Sequence, residues 1–285
     1  MASQMNTSAV QESECSQQVE VDMLRQKERR RKNKYLMVSV LTMVVFLLIW
    51  ELCSDVLHLM PSYSLPSPVA SVKAFITKFY DRSPDRGYIW QHALASLQVV
   101  VNGSGLGIVI GIPLGILMGW YKKFDMFFKS IFDIIRPIPP IAWIPIMVVL
   151  LGIGVKAKAA VIFLSSVVPC VINSYAGIKQ VNPVHLWVAQ IFGATDRQML
   201  RTIAIPSAMP MIFTGVRVAL NAAWMALVAA ELLASTKGLG YMIQLARTFG
   251  RPDIIIAGMF AIGLLSMVFN VIVSLLEKKF VKGGI

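Results

Sequence analysis

Residues 182–206 read NPVHLWVAQIFGATDRQMLRTIAIP and separate two long apolar runs. Asn182 is a residue type that caps helix starts, and Pro183 suits the first helical position. The helix so opened is expected to run to Phe192, where Gly193 can take the left-handed conformation that ends it. Thr195 with Gln198 three residues on fits a capping box, so a second helix is expected from there, with Pro206 soon after. The grammar is helix, glycine, helix, held between membrane spans. The first helix carries Leu186, Trp187, Val188, Ile191 and Phe192, more apolar surface than a short solvated connection needs. Such a knob is expected to press into a partner. The alternative is a membrane-surface hairpin that only joins two spans.

The flanks of this stretch are apolar because the whole chain is. Its 285 residues are 56% hydrophobic, with a mean hydropathy of +0.66. A soluble domain of that composition would expose too much apolar surface, so the fold class is an all-α polytopic membrane protein. The net charge of +12 reads as topology signal and contact with membrane lipid, not nucleic-acid binding. Cys15, Cys53 and Cys170 are scattered without metal or redox spacing and are expected as free thiols. His58, His92 and His185 are equally dispersed and give no metal site.

Six transmembrane helices are expected. Residues 1–34 form a cytoplasmic tail ending in the basic cluster RQKERRRKNK, and residues 35–285 form the transmembrane domain. Span one starts near Tyr35 and its uncharged run ends at Trp50, with Glu51 and Asp55 at the far interface. Prolines 61, 66 and 68 break the chain before a polar external segment at 69–90. Span two, Ala93 to Tyr121, carries no charge and has glycines at 103, 107, 111, 115 and 119, a stripe on which another helix can pack closely. Span three enters by Asp133 and Arg136, is broken by Pro137, Pro139, Pro140 and Pro145, and continues to about Gly154. The backbone groups freed there need partners inside the protein or in water, so it is expected to be irregular beside a cavity. Lys156 and Lys158 follow in a short external turn. Span four covers Ala159 to Ile178, span five Ile205 to Leu233 and span six Ile254 to Leu276. With both termini inside, 17 of the 27 Lys and Arg residues are cytoplasmic and nine external, which fits the positive-inside rule.

Span five also carries Arg217, Asn221, Trp224 and Glu231 on one helical face. Polar groups in a span face other spans or water. They are read as a translocation path together with Asp133, Arg136 and Pro139, or as an internal network of paired groups. Arg217 could pair with Asp133 or attract an anion. Glu231 could gate the outer end.

The 182–206 stretch resembles the cytoplasmic coupling loop of permease subunits of binding-protein-dependent ABC importers. Val188 and Ala189 match the family's paired alanines, and Gly193 and Pro206 match in position. Trp187 stands where the family usually has Glu, a departure that leaves the membrane fold untouched and bears on the polar half of the docking contact. RPIPPIAWIP (136–145), NSYAGIKQV (173–181), GVRVAL (215–220), AAELL (229–233) and KGLGYMI (237–243) extend the resemblance to the group importing aliphatic sulfonates, taurine, nitrate and similar small anions. It implies the type I ABC importer permease fold in the plasma (inner) membrane. It also implies coupling to an ATPase through Leu186, Trp187, Val188, Ala189, Ile191, Phe192, Gly193, Ala194, Thr195 and Asp196. The implied partners are ABC ATPase subunits, a second copy of the permease and an extracytoplasmic substrate-binding protein. The chain shows no phosphate loop, Ser-His-Asp order or HExxH motif. It is therefore expected to be no enzyme and to bind no cofactor, with ATP held by the partner. An ion-coupled secondary transporter or channel, with Glu231 and Asp133 on the ion, is the competing reading; it leaves the apolar knob unexplained.

Overall fold

A computed structural model of the chain describes residues 34–56 and 65–280, together with Lys27 and Arg31. Most of the expected N-terminal tail, the break at Pro61 and the last five residues lie outside the described residues. Two compact units divide at Val69. The first contains α1 (Lys34–Asp55), 22 residues with a mean hydropathy of 2.4. It continues past the expected end at Trp50 through a π turn (Leu52–Val56), which supplies the length a span needs. Trp50 Nε1 donates to the Pro66 carbonyl at 3.2 Å. Helix α2 (Pro68–Thr77) follows.

The second unit is built on α3 (Ile89–Trp120) and α6 (Val155–Lys179). The glycine stripe of α3 lies against α6 along its whole length. A Cβ added at Gly103 would sit 2.7 Å from the Ala159 carbonyl, at Gly107 2.7 Å from Ser166 Cβ, and at Gly111 2.8 Å from Cys170 Cβ. At Gly115 it would sit 2.5 Å from the Val171 carbonyl, and at Gly119 2.8 Å from Ile178 Cβ. No side chain fits at those distances. The stripe is therefore a packing surface, and bilayer helices associate by such close approach.

These pairings rise together in residue number, so α3 and α6 run parallel. The intervening chain must return to the end at which α3 began. It does so through α4 (Lys122–Ile135) and, after a break, a 3₁₀ turn (Pro140–Trp143) leading into α5 (Ile144–Leu151), bent by 86°. Parallel packing of the two long helices makes this bent pair one broken span and not a re-entrant loop. The break falls at Arg136–Pro139, where the proline run stands. Pro145, expected to add a break, instead occupies the first turn of α5, where its missing N–H has no helical partner to lose.

Residues 183–204 then turn the chain back. Helix α7 (Pro183–Ile191) precedes α8 (Asp196–Met199), which continues through a π turn (Leu200–Ala204) into α9 (Ile205–Ala234). The second helix of this stretch and span five are one element, unbroken for 39 residues from Asp196 to Ala234. The wide π turn ends just before Pro206, where a regular turn would press the proline ring on the carbonyl four residues back. Gly177 of α6 faces Ala208, and Gly215 of α9 faces Asn173, so α6 and α9 are antiparallel. After α10 (Leu239–Thr248), α11 (Pro252–Phe280) runs antiparallel to α9. It ends at the same end of the bundle as residues 183–204.

Candidate coupling surface and translocation path

Helix α7 is capped as its residues dictate. Asn182 Oδ1 accepts the Val184 N–H at 2.9 Å. At the other end Gly193 has φ +76, its N–H donates to the Gln190 carbonyl (2.9 Å), and the Ala194 N–H donates to the Ala189 carbonyl (3.0 Å). That pair of bonds is a Schellman closure. The next cap is also local: Gln198 Oε1 accepts the Thr195 N–H at 2.8 Å and the Gln198 N–H returns to Thr195 Oγ1 at 3.4 Å. One side of α7 is anchored. Leu186 packs on the buried cluster of Ile178, Val181, Ala204, Ala208 and Ile212. The opposite side is bare: Trp187 is 59% exposed, Ile191 83% and Phe192 85%. Val188 is exposed beside them. Covering such side chains stabilises a contact by about 1.5–3 kcal/mol each, so this face is built to be covered. Asp196 accepts a hydrogen bond from Trp120 Nε1 at 3.1 Å.

The polar stripe of α9 does not share one environment. Arg217 is ion-paired with Glu277 of α11, not with Asp133 as first considered. Asn221 Oδ1 accepts from Asn270 Nδ2 at 3.3 Å. Trp224 is buried edge-on against Phe269, ring centroids 5.8 Å apart. These three therefore face α11. Asp133 and Arg136 lie elsewhere, with Asp125, Lys129 and Tyr175 around a cleft between α4 and α6. Tyr175 donates to Asp125 Oδ2 at 3.2 Å. Pro139 is exposed at the break before the 3₁₀ turn.

Glu231 is separate again. It is 1% exposed, and its oxygens accept from Ser96 Oγ at 2.8 and 2.9 Å and from the Gly240 N–H at 2.8 Å. Ser96 Oγ accepts the Leu239 N–H (2.8 Å), and His92 Nδ1 accepts the Gly238 N–H (3.2 Å). Three successive amides at the start of α10 are thus capped by side chains from α3 and α9. The cluster extends outward: His92 Nε2 lies 2.7 Å from Asp85 Oδ2, and Asp85 is ion-paired with Lys78, which is 2% exposed. Burial pushes the Asp85 carboxyl up, but the hydrogen bonds from His92 and Lys78 outweigh it and hold the group below its ordinary value. Lys158 Nζ donates to Ser235 Oγ at 2.9 Å, tying α6 to the same turn. A side chain at Gly238 would strike the Glu231 carboxylate, and a Cβ at Gly240 would sit 2.7 Å from Glu231 Cβ. The segments AAELL and KGLG are therefore two halves of one joint. Of the readings open to Glu231, its surroundings fit the internal network.

Residues 111–283 match the model of the family described as binding-protein-dependent transport system inner membrane component. The chain belongs to that family. It is 33% identical over 242 residues to the taurine transport system permease protein TauC of Escherichia coli, covering 85% of this chain and 88% of that one. It is 34% identical over 262 residues to the bicarbonate transport system permease protein CmpB of Synechocystis, covering 90% and 93%. Among solved structures, the MetNI methionine ABC transporter in inward-facing conformations aligns with a TM-score of 0.55 at 18% identity. The alignment covers 65% of this chain and 94% of that one. An amino acid ABC transporter with histidines aligns at 0.52, also at 18% identity, covering 74% and 96%. The two structures carry the fold.

The chain is thus an ABC importer permease, a multi-pass inner-membrane protein whose family works with an ATPase and a substrate-binding protein. Sequence reading singled out Glu231 but missed its partners in this joint at the start of α10. His92 and Ser96 stand four apart near the start of an otherwise apolar span, and that spacing is the signal that was available. Asp85 and Trp120 carried no such signal, since their partners are remote in sequence.

Proposed function

We propose that this permease subunit imports a small anion of the sulfonate, taurine, nitrate or bicarbonate kind, delivered by a soluble extracytoplasmic binding protein. It works as a homodimer in the lipid bilayer with both termini in the cytoplasm. The named relatives support the anion class, and the Lys and Arg surplus on the coupling side supports the orientation. The chain itself is read as having no catalytic chemistry. ATP bound by partner ATPases closes them, draws the two coupling surfaces together and rocks the spans, so that the path opens outward. Arg217 is neutralised by Glu277, so the path is assigned to Asn221 and Trp224, to Asp133 near the end of α4 and to Arg136 and Pro139 in the break after it, with Arg217 engaging an anion only when its pair opens. Glu231 holds the outer turn in place.

The observation that carries this reading is the bare apolar face of Trp187, Val188, Ile191 and Phe192, held on a stiffly capped helix. The permease purified from its native membrane is expected to bring an ATPase subunit with it. Gly193→Glu puts a side chain at a φ that only glycine adopts easily, and is expected to leave ATP hydrolysis running while uptake falls. Uptake by the chain alone, driven by an ion gradient with no ATPase present, would replace this reading with the secondary-transporter one.

A further inference from the structure

The coupling stretch is joined to its own flanking helices, α6 and α9, by the chain itself. Its link to α3 is of another kind. Among the described residues, Trp120 Nε1 to Asp196 Oδ2, 3.1 Å, is the one side-chain hydrogen bond between residues 182–204 and a helix that does not adjoin them in sequence. Trp120 is the last residue of α3, and its ring packs on the same buried cluster that holds Leu186. Asp196 is the first residue of α8, so its carboxylate is fixed to the start of the 39-residue rod that ends at Ala234.

The rest of α3 determines what this bond can do. Its glycine stripe leaves no clearance against α6, so the two helices move together. Its far end supplies His92 and Ser96, the caps of the α10 turn. A displacement that reaches Trp120 is therefore passed along a close-packed helix to the outer joint. Without the bond, α3 would follow the coupling stretch only indirectly, through its packing on α6.

Resting on the coupling reading above, we infer that Trp120 and Asp196 form a positioning pair that makes α3 follow the coupling surface. The pair touches neither substrate nor ATP. Its contribution lies in the ratio of substrate moved to ATP hydrolysed. A hydrogen bond with one charged partner is stronger than a neutral one, and the indole N–H can only donate.

The test uses the full complex of permease, ATPase and binding protein in proteoliposomes, with uptake and ATP hydrolysis measured together. Trp120→Phe keeps an aromatic ring in the cluster while it removes the donor and part of the indole, and Asp196→Ala checks the donor's share from the other side. Asp196→Ala removes the acceptor from an exposed position. Each is expected to lower uptake per ATP by about fivefold, the factor carried by one hydrogen bond of ordinary strength. Asp196→Asn, whose amide oxygen can still accept, retains more of the ratio than Asp196→Ala. The Trp120→Phe/Asp196→Ala pair together is no worse than either alone. A ratio equal to wild type in both single variants would reduce the bond to a structural contact and overturn the inference, as would losses that simply add in the double variant. A wild-type complex that hydrolyses ATP without uptake, or holds no ATPase, would instead overturn the coupling reading, so the two failures are told apart.

Discussion

The two ends of this permease solve the same problem in opposite ways. At the coupling end, helix starts are capped by residues two or three positions away, Asn182 for α7 and the Thr195–Gln198 box for α8. The elements are self-contained, and their apolar face is left bare. At the outer end, the start of α10 has no cap of its own. Its amides are satisfied by His92, Ser96 and Glu231, and every one of those side chains is buried. A locally capped helix keeps its shape while it is pulled, which suits a surface gripped by a motor. A remotely capped helix holds only while α3 and α9 stay together with it, which suits a joint that keeps that end of the bundle in register.

The largest effect is expected at the outer joint. Glu231→Ala strands the Gly240 N–H and the Ser96 hydroxyl in a dry site, at a cost of about 2–4 kcal/mol. The midpoint of thermal unfolding in detergent should fall, and assembled protein should drop with it. Full stability with uptake lost would put Glu231 back on the path as a gate. The α3–α6 seam that joins the two ends comes next. Gly115→Leu meets the Val171 backbone, which cannot move aside, and is expected to cost about 1–3 kcal/mol by overpacking. Gly105→Leu in the same helix serves as its control, since a Cβ there meets nothing within 4 Å.

A smaller, pH-dependent effect is expected from Asp85. Its folded carboxyl titrates below the ordinary value of 3.8, so its stabilisation is complete above that value and disappears as pH falls through the lower, folded one. Asp85→Asn should therefore unfold earlier than wild type at neutral pH, with the gap closing in strong acid. A gap that stayed constant down to pH well under the carboxylate range would mean that the charge on Asp85 contributes nothing.

The same contrast explains what the sequence made legible. The local structure of residues 182–204 could be read residue by residue, because caps, the glycine turn and the apolar face are all set by neighbours within five positions. The glycine stripe could be read as a packing face, since spacing alone aligns it. The broken third span was visible in its prolines, although Pro145 turned out to sit in the first turn of α5, where proline is tolerated, while Pro206 is accommodated by the π turn inside a continuous helix. Of the alternatives open to Arg217, pairing with Asp133 did not hold, because helical spacing fixes a face but not the helix opposite, and α11 supplies Glu277. The outer joint was hidden because Ser96 and Glu231 stand 135 residues apart. Lys158, expected in a short external turn, instead lies buried in the first turn of α6, and its partner Ser235 is likewise remote in sequence.

The central claim is that the bare face of α7 is the place where the motor grips. The direct measurement is retention of the ATPase subunit by permease carrying Ile191→Ser and Phe192→Ser, purified in parallel with wild type. Both side chains are over four-fifths exposed, so the variant should unfold at the wild-type temperature. It should nevertheless bind the ATPase at least about a hundredfold more weakly, given about 1.5–3 kcal/mol for each covered side chain. Undiminished ATPase retention by the doubly substituted permease would contradict the account.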